Sequence, residues 1–389
     1  MLSSAISPFN NSPFAGQLRQ PRAIVVLNDG QNNIPVLWED LQVQTTTFYI
    51  ADNYTVTIPL YGQNPILNLQ YWSAITDLTV RIYIGFPANP NAYNIGDLTP
   101  FMTGTVDLMD IDPVSARVTL SGRDLTSKFI DNKITSLYSN QTASSIVTKI
   151  AESRGLSAQV TPTSGNVGRY FKNFISNAQN LSIKQITEWD LLTFLAQQSG
   201  YVVYVIDQTL YFQPAPINQP NPYVINFQPP QSPGGFPTFP GMDLHFKRSL
   251  TLAKDVIINV VVPTNPQTGK SFTKSAKYVR RPRGTANLPA PGGTTQTYNF
   301  IFAGLTQEQA QQQANTLAQN ITLQEIVMSG TMPLDTTLIK GSQIQVKGTN
   351  TAFDQIYYLD LVTRHFNAAT CFQSIVFKNI SSDSIFQGS

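Results

Sequence analysis

Between Arg117 and Ile134 the chain changes its period, and that change bounds what the whole can fold into. Val118 and Leu120 alternate with Arg117, Thr119 and Ser121, the two-residue repeat of a half-buried strand. Gly122 then releases the backbone, and Arg123 and Asp124 form a charged pair where the strand ends. Leu125, Phe129 and Ile130 suit a short helical turn with Lys128 and Asp131 outward. Strand-like repeats lie before this point and a helix-containing region follows it. Gly122, Arg123 and Asp124 are therefore read as structural residues of a domain junction.

At 389 residues the chain is too long for one comfortable core and predicts two to four domains. Only 12% of its residues are charged, against a usual quarter, while 41% are hydrophobic and the net charge is +2. A disordered chain needs low hydrophobicity, so that class is excluded. The surface must be rich in Asn, Gln, Ser and Thr, which cost less to desolvate against a partner than Lys or Glu. That favours a protein whose surface is committed to assembly. The one cysteine, Cys371, rules out an intrachain disulfide and a cysteine-based zinc site. The N-terminus has no basic, then apolar, signal-peptide pattern, and no apolar run approaches the roughly 18 residues that span a membrane. A reducing cytoplasm is the expected site of synthesis.

In chain order, residues 1–20 are Ser, Asn and Pro rich and read as an arm, with Phe9 and Phe14 able to tie it to a neighbour. Residues 21–125 hold about seven alternating segments, enough for a small barrel-like β domain. Residues 126–224 form an α/β domain. Its first helix has Thr142 as N-cap, a stripe of Ile146, Val147, Ile150 and Ala151, and Gly155 as its stop. A second helix, from Thr187 to Gln198, leads into a hairpin turning at Asp207-Gln208. Proline and glycine crowd 214–241 as a linker or excursion. Residues 225–389 form a second barrel-like β domain with a helix near 306–320, and Ser329-Gly330 is read as a turn after its strand at 323–328. The fold class is mainly β with α+β insertions.

Three ordered stretches carry a resemblance. They are the strand ending in SGRDL followed by TASSIVTKIAESRGL; the unit DLLTFLAQQSGYVVYVIDQTLYFQP; and the run from GLTQEQAQQQANTLAQN through LIKGSQIQVKG to IYYLDLVTRHFNAATCFQSIVFKN. Together they resemble the baseplate hub, or late-control, proteins of contractile-tailed phages, related to the hub part of type VI secretion spike proteins. Gly341, Gly348, Tyr358, Val362 and His365 occupy the family's matching places, while Asn367-Ala368-Ala369 replaces its usual turn glycines. The resemblance covers about 100–380, with the first β domain fitting in outline. It implies a structural, non-enzymatic homotrimer whose two β domains per subunit make a pseudo-sixfold ring around the path of the DNA. One face would meet the tail tube protein and the other the central spike protein, with other baseplate proteins as further partners. No cofactor and no stable membrane insertion are implied, and the destination is the virion's tail baseplate.

Other chemistries find little footing. Thr268-Gly269-Lys270-Ser271 imitates the end of a phosphate loop, but Thr264 stands where that loop needs glycine. His245 and His365 are the only histidines and have no convincing partner ligands in sequence. No GxSxG elbow occurs. Asp107, Asp110 and Asp112 lack the glycine and spacing of a calcium loop and are expected in solvent at a strand end. The rival class is a β-rich carbohydrate-binding or glycan-hydrolysing protein, which would need exposed Trp and a carboxylate pair across the fold. Lys270, Lys274, Lys277, Arg280, Arg281 and Arg283 form the strongest charge run, with no acid among them. It is expected on a loop of the second β domain, facing the channel or an acidic partner. Its contact with phage DNA would be transient and nonspecific, because phosphate contacts position without specifying.

Overall fold

The computed structural model describes residues 20–61, 64–134, 138, 141–163, 187–199, 201–214, 222–233, 235–239, 241–249, 256–264, 268–278, 295–302, 305, 307–322, 326–351, 353–367 and 370–379. The expected arm, the aromatic pair Phe171 and Phe174, the stop at Gly200, the cap at Thr306 and the turn residues Ala368-Ala369 lie outside them. Among the described residues the chain is mainly β, and its strands fall into one large sheet and two small ones.

Seven strands precede residue 125: β1 (Arg22–Asn28), β2 (Asn33–Val36), β3 (Asp40–Thr46), β4 (Asn53–Pro59), β5 (Thr79–Gly85), β6 (Thr99–Asp112) and β7 (Arg117–Asp124). They pair antiparallel in the order β2-β1-β5-β6-β7-β4-β3. Their alternation decides which face is dry. Tyr54, Val56 and Ile58 on β4 and Val118 and Leu120 on β7 are buried, with Thr or Ser between them half-exposed. Leu27, Leu41, Val80 and Ile82 join the same core, and Trp72 of the short helix α1 (Leu69–Ala74) plugs it.

The second β region does not stand apart. β18 (Ile356–Asn367) pairs with β3 along Leu361–Asn367, so that the two regions form one 13-stranded sheet, open along its path among the described strands. A register shift between Leu359 and Leu361 divides β18. Its first residues pair instead with β17 (Gln343–Lys347), which in turn pairs with β11 (Tyr223–Asn226). Its other edge carries β19 (Cys371–Lys378), then β16 (Ile326–Pro333) and β12 (Asp243–Arg248). A separate cluster including Tyr223, Ile344, Val346, Tyr357 and Phe377 forms the core here.

Two expectations change at this point. Ser329-Gly330 does not turn the chain: β16 runs straight through it, because the absent side chain at Gly330 lets Asp243 of β12 approach, where a β carbon would meet its carbonyl at 2.6 Å. The Pro/Gly stretch 214–241 is more than a linker, since Tyr223–Asn226 supplies the strand β11. Here local composition yields to tertiary pairing.

The α/β region packs α3 (Ala143–Ser153) and α4 (Glu188–Ser199) on the sheet β8-β10-β9, made of Ser157–Val160, Thr209–Pro214 and Tyr201–Ile206. Thr142 caps α3 by accepting from the Ser145 amide, as its position predicts. β8 was not legible: SAQV has neither the length nor the apolar content of a strand signal. Finally α5 (Gln307–Thr322) covers one face of the sheet β14-β13-β15, formed by Phe272–Tyr278, Val256–Val262 and Gln296–Ile301. Ala310, Ala314 and Ala318 let that helix lie close on Ile258 and Val260.

Candidate functional site

The connection between β3 and β4, residues 47–52, ties the first β region to both others. Phe48 packs on Tyr204 of β9 with ring centroids 4.9 Å apart. The Tyr49 amide donates to Val203 O (3.3 Å), its hydroxyl donates to Tyr201 O (2.8 Å), and its carbonyl accepts from Trp189 Nε1 of α4 (2.8 Å). Tyr49 holds φ at +68°, the left-handed region that a bulky residue adopts only when its surroundings compel it. From the second β region, Gly341 (φ +78°) comes so close that a β carbon would meet the Phe48 ring at 2.6 Å. The neighbouring Lys340 donates to Ile50 O at 2.7 Å and pairs with Asp52 at 2.9 Å.

That ion pair is buried, with 2% of the Lys340 side chain exposed. Asp52 Oδ1 also accepts from the Thr46 amide (2.8 Å) and hydroxyl (2.9 Å), and Asp52 O accepts from the Asp124 amide (2.8 Å). The Asp124 carboxylate, also buried, accepts from the Thr126 amide at 3.1 Å. Burial above all pushes its pKa up to about 7, with Lys340 acting against the rise and Asp52 adding to it. Beyond Asp52, Arg364 of β18 is fully buried. It donates to Thr45 Oγ1 (3.0 Å), to Asp335 O (3.3 Å) and to Leu338 O, and lies 4.7 Å from the Phe101 ring centroid. Burial pushes its pKa down to about 10, while Asp335 and Asp52 oppose the fall. Asp52, Asp124, Asp335, Lys340 and Arg364 thus form one buried polar junction.

The three junction residues read from the sequence have separate tasks around it. Asp124 enters the cluster. Arg123, on the opposite face of β7, pairs with Asp107 at 2.6 Å and Asp131 at 2.9 Å, bracing β6 against the turn after α2 (Ser127–Ile130). Gly122 supplies space rather than backbone freedom. A β carbon there would lie 1.9 Å from Thr105 O and 2.8 Å from the Tyr54 hydroxyl, which itself donates to Thr105 O at 3.0 Å. Asp110 and Asp112 are exposed on β6, and Asp112 caps the β6–β7 turn by accepting from the Val114 and Ser115 amides.

The basic run is placed differently from its sequence expectation. Lys270 is exposed in the β13–β14 connection, but Lys274 and Lys277 belong to the strand β14, not to a loop. Pairing with β13 imposes this: Lys274 lies opposite Val260 and Lys277 opposite Ile257. Arg280, Arg281 and Arg283 lie outside the described residues. β13, β14 and β15 contain no acidic residue, and Lys277 shares a polar face with Ser275, Asn259 and Asn299, which are hydrogen-bonded across the three strands. Because a strand follows Ser271, the Thr268–Ser271 segment has no helix with which to hold a phosphate. His365 stacks on Phe372 (centroids 4.7 Å apart), whereas His245 lies exposed on β12. No helix among the described residues is long and apolar enough to cross a membrane.

Asp52, Asp335, Lys340 and Arg364 were not singled out from sequence. Arg364 could have been, since Val362, Arg364 and Phe366 share the inward face of an alternating strand. The partners of Lys340 lie about 290 residues away, so nothing local announces them.

No protein-family model matches the sequence, and no curated protein matches it either. Solved structures do. The chain is similar to the tail protein from Neisseria meningitidis MC58, with 14% identity and a TM-score of 0.60 over 93% of this chain and 98% of that one. It is similar to the 43 kDa tail protein of prophage MuSo2 from Shewanella oneidensis, with 13% identity and a TM-score of 0.58 over 94% and 98%. A chain of the Francisella PdpA–VgrG complex aligns with 11% identity and a TM-score of 0.50 over 96% of this chain and 54% of that one. Those alignments run through both β regions and the α/β region between them, and the chain therefore has the fold of these phage tail proteins.

Proposed function

We propose that the chain is a structural, non-enzymatic hub of a phage tail baseplate. The observation that carries this reading is the fold shared with two tail proteins along almost the whole of all three chains. In this reading residues 21–125 and 225–389 act as two barrel-like β domains, with 126–224 as the α/β domain between them. The β3–β18 pairing and the buried junction would hold the two β domains of one subunit at a fixed angle. Three subunits then close a pseudo-sixfold ring, with the tail tube protein on one face, the central spike protein on the other and phage DNA passing through during ejection. A charge-poor surface supports this reading, because a ring buries much of it, often more than roughly 2,000 Å² per obligate interface, and closed symmetry limits growth. The contractile tail class follows from the sequence resemblance alone.

Native mass measurement of the chain, alone and with tail tube and spike proteins from the same phage, is expected to give a homotrimer, seen in projection as a ring with a central opening. A monomer or dimer under every condition sinks the proposal.

The lysines of the acid-free sheet act as a nonspecific electrostatic surface toward the channel or an acidic partner. Lys270→Gln with Lys277→Gln, both at exposed positions, is expected to fold normally. The double variant should lower tail assembly or ejection efficiency more at low salt than at high, since screening already weakens the wild-type surface there. Wild-type efficiencies across the salt series would show a solvated edge without such a role.

A further inference from the structure

The buried junction holds an uneven set of charges. Asp52, Asp124 and Asp335 are three carboxyl groups, and Lys340 and Arg364 are two cations. The cations on the neighbouring elements β7, α2 and α3 are committed elsewhere. Arg123 points outward to Asp107 and Asp131, Lys128 of α2 donates to Arg154 O, and Arg154 is paired with Glu188 of α4 at 2.7 Å. Within the set, Lys340 is committed to Asp52 and Ile50 O, and Arg364 to Thr45, Asp335 O and Leu338 O. Asp124 and Asp335 each have a buried Oδ2 without a hydrogen-bond partner among the described residues. Asp335 has the Thr337 amide on its Oδ1 and the Arg364 guanidinium nearby, whereas Asp124 has only a share of the Lys340 that is bonded to Asp52, so Asp124 is the carboxyl group left over. A full negative charge there is costly, and one proton balances the cluster.

We propose that the junction is a proton-operated latch, in which Asp124 carries a proton while residues 47–52 are seated between the α/β region and residues 335–342, and loss of that proton unseats them. The seat is suited to opening as a unit. Asp124 hydrogen-bonds through its amide to Asp52 O, and the same short connection carries Phe48, Tyr49 and Ile50 to Tyr204, Val203, Trp189 and Lys340. A charge appearing beside Asp52 therefore acts on every contact that joins the three regions at this point. Unseating would loosen the α/β region from the second β region, while the β3–β18 pairing and the contacts of Asp207 with Arg81 and Thr103 continue to tie both to the first.

The sign of the effect is fixed by burial. In the seated state the Asp124 carboxyl is raised to about 7, and in an unseated, solvated state it returns toward its ordinary value of 3.8. The seated state then binds the proton more tightly, so its advantage is greatest in acid and falls as pH rises through that window, becoming level above it. The fall is about tenfold per pH unit.

Hydrogen exchange of the isolated chain, followed by mass spectrometry from pH 5 to pH 8 and corrected for intrinsic exchange rates, tests this without reference to any tail partner. Peptides covering 47–52 and 335–342 are expected to lose about tenfold of protection per unit from pH 5 to pH 7 and to level beyond it. Asp124→Asn, which keeps the shape and cannot ionise, is expected to hold one protection level throughout. A wild-type profile that is flat, or one that keeps falling about tenfold per unit from pH 7 to pH 8, overturns the latch, and so does an Asn variant that follows the wild-type curve. The wild-type profile decides the matter even if the variant fails to fold.

Discussion

Arg364→Met is expected to destabilise the chain by about 3–5 kcal/mol. The guanidinium has no exposure to lose, and its hydrogen-bond partners are held by other elements: Thr45 by β3, and Asp335 O and Leu338 O by the turn before β17. Methionine fills a similar volume, so the cost is mainly that of stranded acceptors, each about 1–3 kcal/mol when buried without a donor. Asp335, also buried, loses its nearby cation at the same time. Lysine at this position keeps a charge but cannot present a planar fork to several acceptors, and is expected to recover only part of the loss. Urea unfolding of the three proteins at one pH gives the comparison. A methionine variant within 1 kcal/mol of wild type would mean that Arg364 fills space and does not hold the turn.

The range of an interaction decides whether the sequence shows it. The strands of the first β region were legible because each has one dry face and so a two-residue repeat, as at Tyr54, Val56 and Ile58. α3 was legible for the equivalent reason, with a cap at Thr142 and a stripe of buried residues ending at Gly155 (φ +72°). β14 was not, because FTKSAKY owes its extended form to pairing with Val256–Val262 and to the cover of α5, not to its own pattern. Nor was the union of the two β regions into one sheet, which joins residues 40–46 to 361–367 through hydrogen bonds that leave no trace in local sequence.

The candidate site divides in the same way. Gly122, Arg123 and Asp124 stand at a change of period, and β6, β7 and the 47–52 connection converge on these residues. Their individual chemistry was hidden. Arg123 and Asp124, adjacent in sequence, look like a pair with each other, yet the strand points them to opposite faces and gives each its own partners. Gly122 looked like a release of the backbone and is a gap left for Tyr54, which only the cross-strand pairing of Tyr54 with Gly122 discloses. Lys340 carried no signal beyond its place before a glycine.

Lys340→Met tests the other half of the cluster, and its effect should depend on pH in a direction that the geometry fixes. The substitution removes the only cation touching Asp52 in the described structure and leaves Asp52 and Asp124 buried near each other. Breaking a buried pair by deleting one partner costs about 3–5 kcal/mol, because a charge is left uncompensated. Lys340 holds the Asp124 carboxyl below where burial alone would put it, so its loss raises that group further. A carboxyl raised in the folded state stabilises the fold below its folded pKa, and that contribution is lost as pH rises. The deficit of the variant is therefore expected to be smaller at pH 5, where the Asp124 carboxyl is protonated in both proteins, and larger at pH 8, where the wild type has passed its midpoint near 7 and the variant is still losing stability. Adding Asp52→Asn to Lys340→Met should return part of the stability at pH 8, since the second change removes a charge that the first one stranded. Urea unfolding of the two single variants, the double variant and the wild type at both pH values closes this cycle. A deficit that is the same at pH 5 and pH 8, or a double variant no better than Lys340→Met alone, would show that the lysine contributes packing and not charge.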